Sequence, residues 1–254
     1  MPSEHAKLSA SGSERWMRCP GSIILEGLFD DDGSIYADEG TQAHAIAEKR
    51  IRARLTPTPE NIQSVKEAEE TCEPEMWGFT GRYEDYCFDI IDTMTMAGHT
   101  VRAYPEQKVC FDKWVPEGFG TVDFCAVGGD DLHIVDFKYG KGVKVNAEGN
   151  SQMRAYALGF LQEYDLIYDN LKTVTMHIVQ PRINNISVET ISIEELLRWA
   201  KEELKPKAKQ AFKGTRKYAT GRHCRFCKAK AVCRHRATKL LEDLTEILDP
   251  QIPF

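Results

Sequence analysis

Residues 120–138 read GTVDFCAVGGDDLHIVDFK. Two runs rich in Val, Ile, Phe and Cys flank the turn signal Gly128-Gly129-Asp130-Asp131, so the stretch predicts two strands, 121–127 and 132–138, closed by a tight hairpin. Side chains two apart on a strand leave the same face of a sheet, so Asp136 and Lys138 project together. Asp123, on the preceding strand, can join that face at one end of the hairpin. Two carboxylates converging near an ammonium group suit hydrolysis of a phosphodiester. Oxygen ligands hold a hard divalent cation, the cation stabilises charge on the phosphate, and the lysine orients or deprotonates the attacking water. The competing reading of so short a pattern is a solvent-facing Asp–Lys pair on an edge strand.

Working outward, 104–111 carries a further strand signal, and the residues before it read as helices at 9–18, 38–55 and 60–97. Thr41 is the N-cap signal of the second helix, Thr56-Pro57-Thr58-Pro59 stops it, and the third is interrupted around Pro74 to Gly78. Downstream come a helix at 151–163, strands at 173–179 and 186–191, and a helix at 193–212. Helices and strands mixed in this order, with adjacent strands turning back on one another, predict an α/β sandwich around a mixed central sheet flanked by helices. The helix at 38–55 carries His44 one turn in, with Glu48 at i+4 on the same face. Gln152 and Tyr156 share a face of the helix at 151–163 in the same way. Taken singly, each of these is as well explained by packing or by a solvated surface.

Composition narrows the class. Apolar residues make up 42% and charged residues 28% of 254, which excludes a largely disordered, collagenous or membrane-embedded chain. The first residues lack the apolar stretch of a secretory leader, and no run approaches the roughly 18 apolar residues of a membrane span, so a cytoplasmic or nucleoid-associated protein is expected. The net charge of −6 argues against a uniformly basic DNA-coating protein. Yet 201–239 holds 14 basic residues against Glu202 and Glu203, while the remainder carries −18. That asymmetry suits one end facing a polyanion, and equally a solvated basic helix.

The order His44, Gly120-x-x-Asp123, Asp136-x-Lys138 and Gln152-x₃-Tyr156 resembles the RecB-like branch of the PD-(D/E)XK nuclease superfamily. The resemblance implies that His44, Asp123 and Asp136 bind Mg²⁺ or Mn²⁺, that Phe137 lends a backbone carbonyl, and that Asp123, Asp136 and Lys138 are catalytic. It implies that Gln152 and Tyr156 support the site and the DNA strand. Asp136 stands where many relatives have Glu, a variation the superfamily pattern allows. The run DFKYGKGVKVNAEGNSQMRAYALG also resembles phage-associated members of this branch.

Eight cysteines in a chain of this class are expected to be mostly reduced. Cys87, Cys110 and Cys125 sit in apolar or strand-like surroundings and read as small buried hydrophobes. Cys72 has no evident partner. Cys224-x₂-Cys227-x₅-Cys233 differs in kind: three thiolates within ten residues need a fourth ligand to complete a soft-metal site. Cys19, in Cys19-Pro20-Gly21, is the best candidate, since the others fall in a long helix or strands. The set resembles the iron–sulfur staple of AddB-type and CRISPR-associated RecB-like exonucleases, which implies a [4Fe–4S] cluster on Cys19, Cys224, Cys227 and Cys233. A structural zinc site, with His223 or His235 in place of Cys19, is the rival.

The resemblance therefore implies a single nuclease domain over 1–254. Its core would be 38–212 with a helical insertion at about 57–98, and 1–37 with 213–240 would form the cluster subdomain. The function implied is a Mg²⁺- or Mn²⁺-dependent DNA exonuclease that leaves 5′-phosphorylated products, in phage recombination or DNA-end processing. Its partners would be single-stranded DNA or duplex ends, and a phage recombinase or single-strand-binding protein. Lys141, Lys144, Arg222 and Arg225 would track the DNA backbone, and Tyr139 and Tyr156 read either as stacking on bases or, at least as well, as core residues. The alternative is a DNA-binding or scaffolding protein of the same fold with little cleavage activity.

Overall fold

The computed structural model describes residues 6–29 and 35–247. Parts of the expected cluster arm, 1–5 and 30–34, lie outside these residues. Two short helices, α1 (Ser13–Arg18) and α2 (Ser22–Glu26), precede three longer ones, α3 (Ile35–Leu55), α4 (Pro59–Thr71) and α5 (Pro74–Met96). Strands β1 (Val101–Cys110), β2 (Phe119–Gly128) and β3 (Asp131–Phe137) follow, then α6 (Ser151–Glu163), β4 (Thr173–Gln180) and β5 (Asn185–Ser192). The chain ends on α7 (Ile193–Trp199), α8 (Lys205–Phe212) and α9 (Arg234–Ile247), with short 3₁₀ turns between the last two.

The five strands form one sheet in chain order, antiparallel throughout except for β3 against β4, which run parallel because α6 crosses between them. Helices cover both faces, as the mixture of elements implied. On one face Val122, Cys125, Leu132, Ile134 and Met176 pack under α6, α8 and α1. On the other, Phe124, Ala126, Val135 and Phe137 pack under α3 and α5, against Ala43, Ile46, Tyr83 and Cys87. β2 and β3 are thus buried on both sides, which is why they read as near-continuous apolar runs. β3 is the central strand and Asp136 is 2% exposed, which removes the solvent-facing edge-strand reading of Asp136 and Lys138.

Several boundaries differ from expectation for local reasons. α3 starts at Ile35, so Thr41 lies inside the helix rather than capping it; Asp38 in the first turn supplies the acid that the N-terminal end of the helix dipole favours. The break in the long helix falls at Cys72-Glu73, before Pro74, which takes the first position of α5 where a missing N–H costs nothing; Gly78 is helical. The helix expected over 193–212 is continuous but carries a π-helical turn at Ala200–Leu204. α2 and α9 were not foreseen.

The N-terminal arm docks on the C-terminal segment. Arg15 pairs with Glu26 at 2.7 Å and Glu26 accepts from the Lys228 N–H at 3.0 Å, so α1, α2 and the segment after Arg222 share one ion-pair system. The Gly21 N–H donates to the Lys217 carbonyl at 2.8 Å, and a Cβ at Gly21 would lie 2.4 Å from the Tyr218 ring. Only glycine permits this approach, which explains the Cys19-Pro20-Gly21 sequence.

Candidate metal centre and basic groove

The hairpin delivers its two carboxylates to one buried spot. Asp123 Oδ2 accepts from the Phe137 backbone N–H at 2.6 Å, tying β2 to the end of β3. Its other oxygen, Oδ1, lies 3.1 Å from His44 Nδ1 on α3. The His44 ring also meets Phe137 edge-on, with centroids 5.3 Å apart, and Phe137 stacks on Tyr83 of α5, so an aromatic layer fixes the imidazole. Lys138, one residue beyond β3, remains in register because its N–H donates to the Val179 carbonyl at 2.9 Å. Its ammonium lies 3.0–3.1 Å from the two Asp136 oxygens, and Asp136 Oδ2, though fully buried, has no aligned hydrogen-bond donor.

The helix after the hairpin locks this pair. Asn150 caps α6 by accepting from the Gln152 and Met153 N–H groups, which aims Gln152 at the sheet. The Gln152 amide then donates to Asp136 Oδ1 at 3.0 Å and to the Tyr156 hydroxyl at 3.2 Å, while its oxygen accepts from Lys138 at 3.3 Å. Gly120 makes the approach possible, since a Cβ there would stand 2.9 Å from the Tyr156 ring. Gly120, Gln152 and Tyr156 therefore act as a support for Asp136 and Lys138.

A third acid joins from β1. Oxygens of Glu106 and Asp123 and a nitrogen of His44 all lie within 4.8 Å of one another, a spacing a single cation can bridge. Asp136 stands beside this trio, engaged with Lys138 and Gln152. Glu106 has φ 48, in the left-handed region that costs a non-glycine residue about 1–3 kcal/mol. Burial and the Asp123 charge push its carboxyl up to about 7, against the pull of His44. Burial alone would lower His44, but the Asp123 charge and hydrogen bond win and push it up to about 9. Burial raises Asp136 against the pull of Lys138, and Lys138 is raised in turn because Asp136 and Asp123 outweigh its own burial.

Cys19 approaches Cys224 and Cys233, but the four cysteines do not form a closed cluster. Ala219 donates its N–H to Cys19 Sγ at 3.5 Å while its carbonyl lies 3.9 Å from Cys224 Sγ. Cys19 feels the charges of Cys224 and Cys233, and Cys227 feels that of Cys224; burial is the main cause that raises Cys19 and Cys227. Among the described residues no three of these sulfurs lie within 4.8 Å of one another. Beside them runs a groove of about 1370 Å³ between α1, the 143–151 loop and the cysteine segment, lined by eight Lys or Arg side chains and three Glu. Lys144, Arg222 and Arg225 line it, and Lys141 does not.

The family model described as "Protein of unknown function (DUF2800)" matches residues 5–251. The chain belongs to the DUF2800 family. Its fold is remotely similar to several solved structures. Against the protein SSO0001 the identity is 10% over 93% of this chain and 89% of the other, with a TM-score of 0.36. Against LHK-Exo, an alkaline exonuclease from Laribacter hongkongensis, identity is 12% over 89% of this chain and 99% of the other, with a TM-score of 0.30. The complex of LHK-Exo with dAMP gives 11% over 80% and 99%, also at 0.30.

In this DUF2800 chain two sequence expectations are corrected. Tyr139 is 4% exposed, packed among Phe79, Phe137 and Arg182, and Tyr156 is 8% exposed under Gly120, so neither presents a face on which a base can stack. Glu106 was missed, because no motif marks it, it stands beside Gln107 and Lys108 in a strand of mixed polarity, and its meaning depends on strand register.

The electrostatics give a pH dependence. His44 folds with a pKa above its ordinary 6.5, so its contribution is present below 6.5 and is lost as pH rises through about 9. Glu106, raised from 4.5 to about 7, loses its contribution in the same direction, between those values. Above pH 7, where the lowered His177 and His133 no longer oppose it, metal-free protein is therefore expected to melt progressively lower up to pH 9. His44 would account for on the order of 1–2 kcal/mol after allowance for its one-third exposure. The Asp123→Asn variant should flatten the decline between pH 6.5 and 9; an unchanged slope in thermal melts would remove the His44–Asp123 coupling.

Proposed function

We propose that this protein is a metal-dependent DNA exonuclease that hydrolyses phosphodiester bonds at DNA ends and leaves 5′-phosphorylated products. The observation that carries the reading is the meeting of two carboxylates, an imidazole and a half-buried ammonium at the end of one hairpin. The donor set fits a hard divalent cation such as Mg²⁺ or Mn²⁺: it is made of oxygens and one imidazole, and the buried Asp136 Oδ2 keeps a lone pair with no aligned donor. Asp123, Asp136 and His44 would hold the ion, with the Phe137 carbonyl as a further ligand. When bound, such an ion stabilises charge on the scissile phosphate and acidifies the attacking water.

The remaining work falls to this chain. Lys138, held protonated between Asp136 and Asp123, orients the water and donates to phosphate oxygens. Gln152 keeps Asp136 and Lys138 in mutual register, and Tyr156 buttresses Gln152. The groove bearing Lys144, Arg222 and Arg225 suits a phosphate backbone, so binding should weaken steeply with salt. A place in phage recombination, with a recombinase or single-strand-binding partner, rests on the sequence resemblance alone.

The same reading assigns Cys19, Cys224, Cys227 and Cys233 to a [4Fe–4S] cluster with a structural role, closing a loop of more than 200 residues. Tetrahedral zinc with Zn–S bonds of about 2.3 Å would bring its sulfurs to about 3.8 Å from one another. The preference for a cluster over zinc rests on the sequence resemblance alone.

End-labelled linear and closed circular DNA, single- and double-stranded, should be incubated with Mg²⁺ or Mn²⁺. Linear substrate is expected to be degraded and circles spared. Asp136→Asn and Lys138→Ala should each lower the rate by about a hundredfold or more. DNA binding without cleavage would favour the scaffolding alternative, and variants as active as the parent would remove the assigned site. Protein purified without oxygen should be brown with about four irons per chain. Colourless protein with one zinc would overturn the cluster.

A further inference from the structure

We propose that Glu106 is a ligand for the cation, and that the left-handed backbone at this residue is the conformation that aims its carboxylate at His44 and Asp123. The inference rests on the hard-cation reading of the site and extends it to a residue on β1 that no motif marks.

The argument begins with two unfavourable features in one place. The pairs Pro105↔Phe124 and Gln107↔Val122 flank Glu106, so strand register sets it opposite Asp123. Like charges facing each other across adjacent strands repel. A glutamate at φ 48 is also strained, and it sits in the middle of a strand rather than in a turn. His44 offsets part of this repulsion, while Arg52 and Lys138 are engaged elsewhere. Arg52, whose field reaches Glu106, is held by Glu48 at 2.7 Å and by the Pro105 carbonyl at 3.2 Å. Lys138 is held by Asp136 and Gln152.

Both features make sense if a positive ion sits between the carboxylates. The donor atoms of Glu106, Asp123 and His44 lie within 4.8 Å of one another. Beside them the buried Asp136 Oδ2 faces the Lys138 ammonium at 3.0 Å with no aligned hydrogen bond. Glu106 also lines an open cavity of about 820 Å³, shared with Arg52, Tyr104, Gln107 and Lys108. Strain at a site is retained where function uses it.

The test uses the full chain, Mn²⁺ as probe, and two variants, Glu106→Gln and Glu106→Gly. Mn²⁺ affinity is read by electron paramagnetic resonance, and melting temperature is read without metal. Glu106→Gln should bind Mn²⁺ at least tenfold more weakly than the parent yet melt no lower, because the repulsion from Asp123 is gone. Glu106→Gly should melt at or above Glu106→Gln, because glycine tolerates the positive φ. If the parent binds Mn²⁺ and Asp123→Asn abolishes it, but Glu106→Gln binds within twofold of the parent, Glu106 is not a ligand. If Glu106→Gln instead melts lower without metal, its role is structural and the proposal also fails. A parent that binds no Mn²⁺ at millimolar concentration would overturn the hard-cation reading itself, and this inference with it.

Discussion

The site depends on one carboxylate that serves two masters. Asp123 takes a backbone N–H from β3 on one oxygen and faces the imidazole of α3 with the other. The first contact fixes where β3 ends and therefore where Asp136 and Lys138 begin. The second ties a helix on one face of the sheet to residues that α6 supports from the other face. Because the two faces are separate cores, no single hydrophobic cluster could align them, and a polar link through the sheet does so. The raised carboxyls of Glu106 and Asp136 are the signs of the cost of burying charge, and the raised imidazole of His44 is the stabilisation that Asp123 returns.

Much of this was legible in the sequence. The hairpin was readable because its strands are buried on both faces and its turn carries two glycines and two aspartates. α6 was readable because Gln152 and Tyr156 lie one turn apart on an amphipathic segment. What could not be read is what depends on register and on contacts distant in sequence. Glu106 lies 17 residues before Asp123 and becomes its neighbour only through the β1–β2 pairing. The early start of α3 was hidden because Gly40 and Thr41 look like a boundary, and helix packing overrode that preference. Tyr139 and Tyr156 have the composition of stacking residues, and only the packing reveals that they are walled in.

The chain ends add a second organised region. α1 and α2 are held to the cysteine segment by the Arg15–Glu26 pair, the Gly21–Lys217 backbone contact and the convergence of Cys19 on Cys224. Between this region and the N-terminus of α6 runs the basic groove, and Ser13 reaches Ser151 across it at 2.7 Å. The groove therefore approaches the first turn of α6, the same turn from which Gln152 contacts Asp136 and Lys138. Charge that a composition count sees only as a basic C-terminal stretch is, in three dimensions, aligned with the helix that supports the carboxylates.

The central claim is that these groups hold a hard cation. Crystals soaked in Mn²⁺ and measured at the manganese edge test it directly. The account requires an anomalous peak within bonding distance of Asp123, about 2.0–2.4 Å from its oxygen, with His44 in the same coordination shell. Full manganese occupancy at surface acids with no peak between α3 and the β2–β3 hairpin would contradict it.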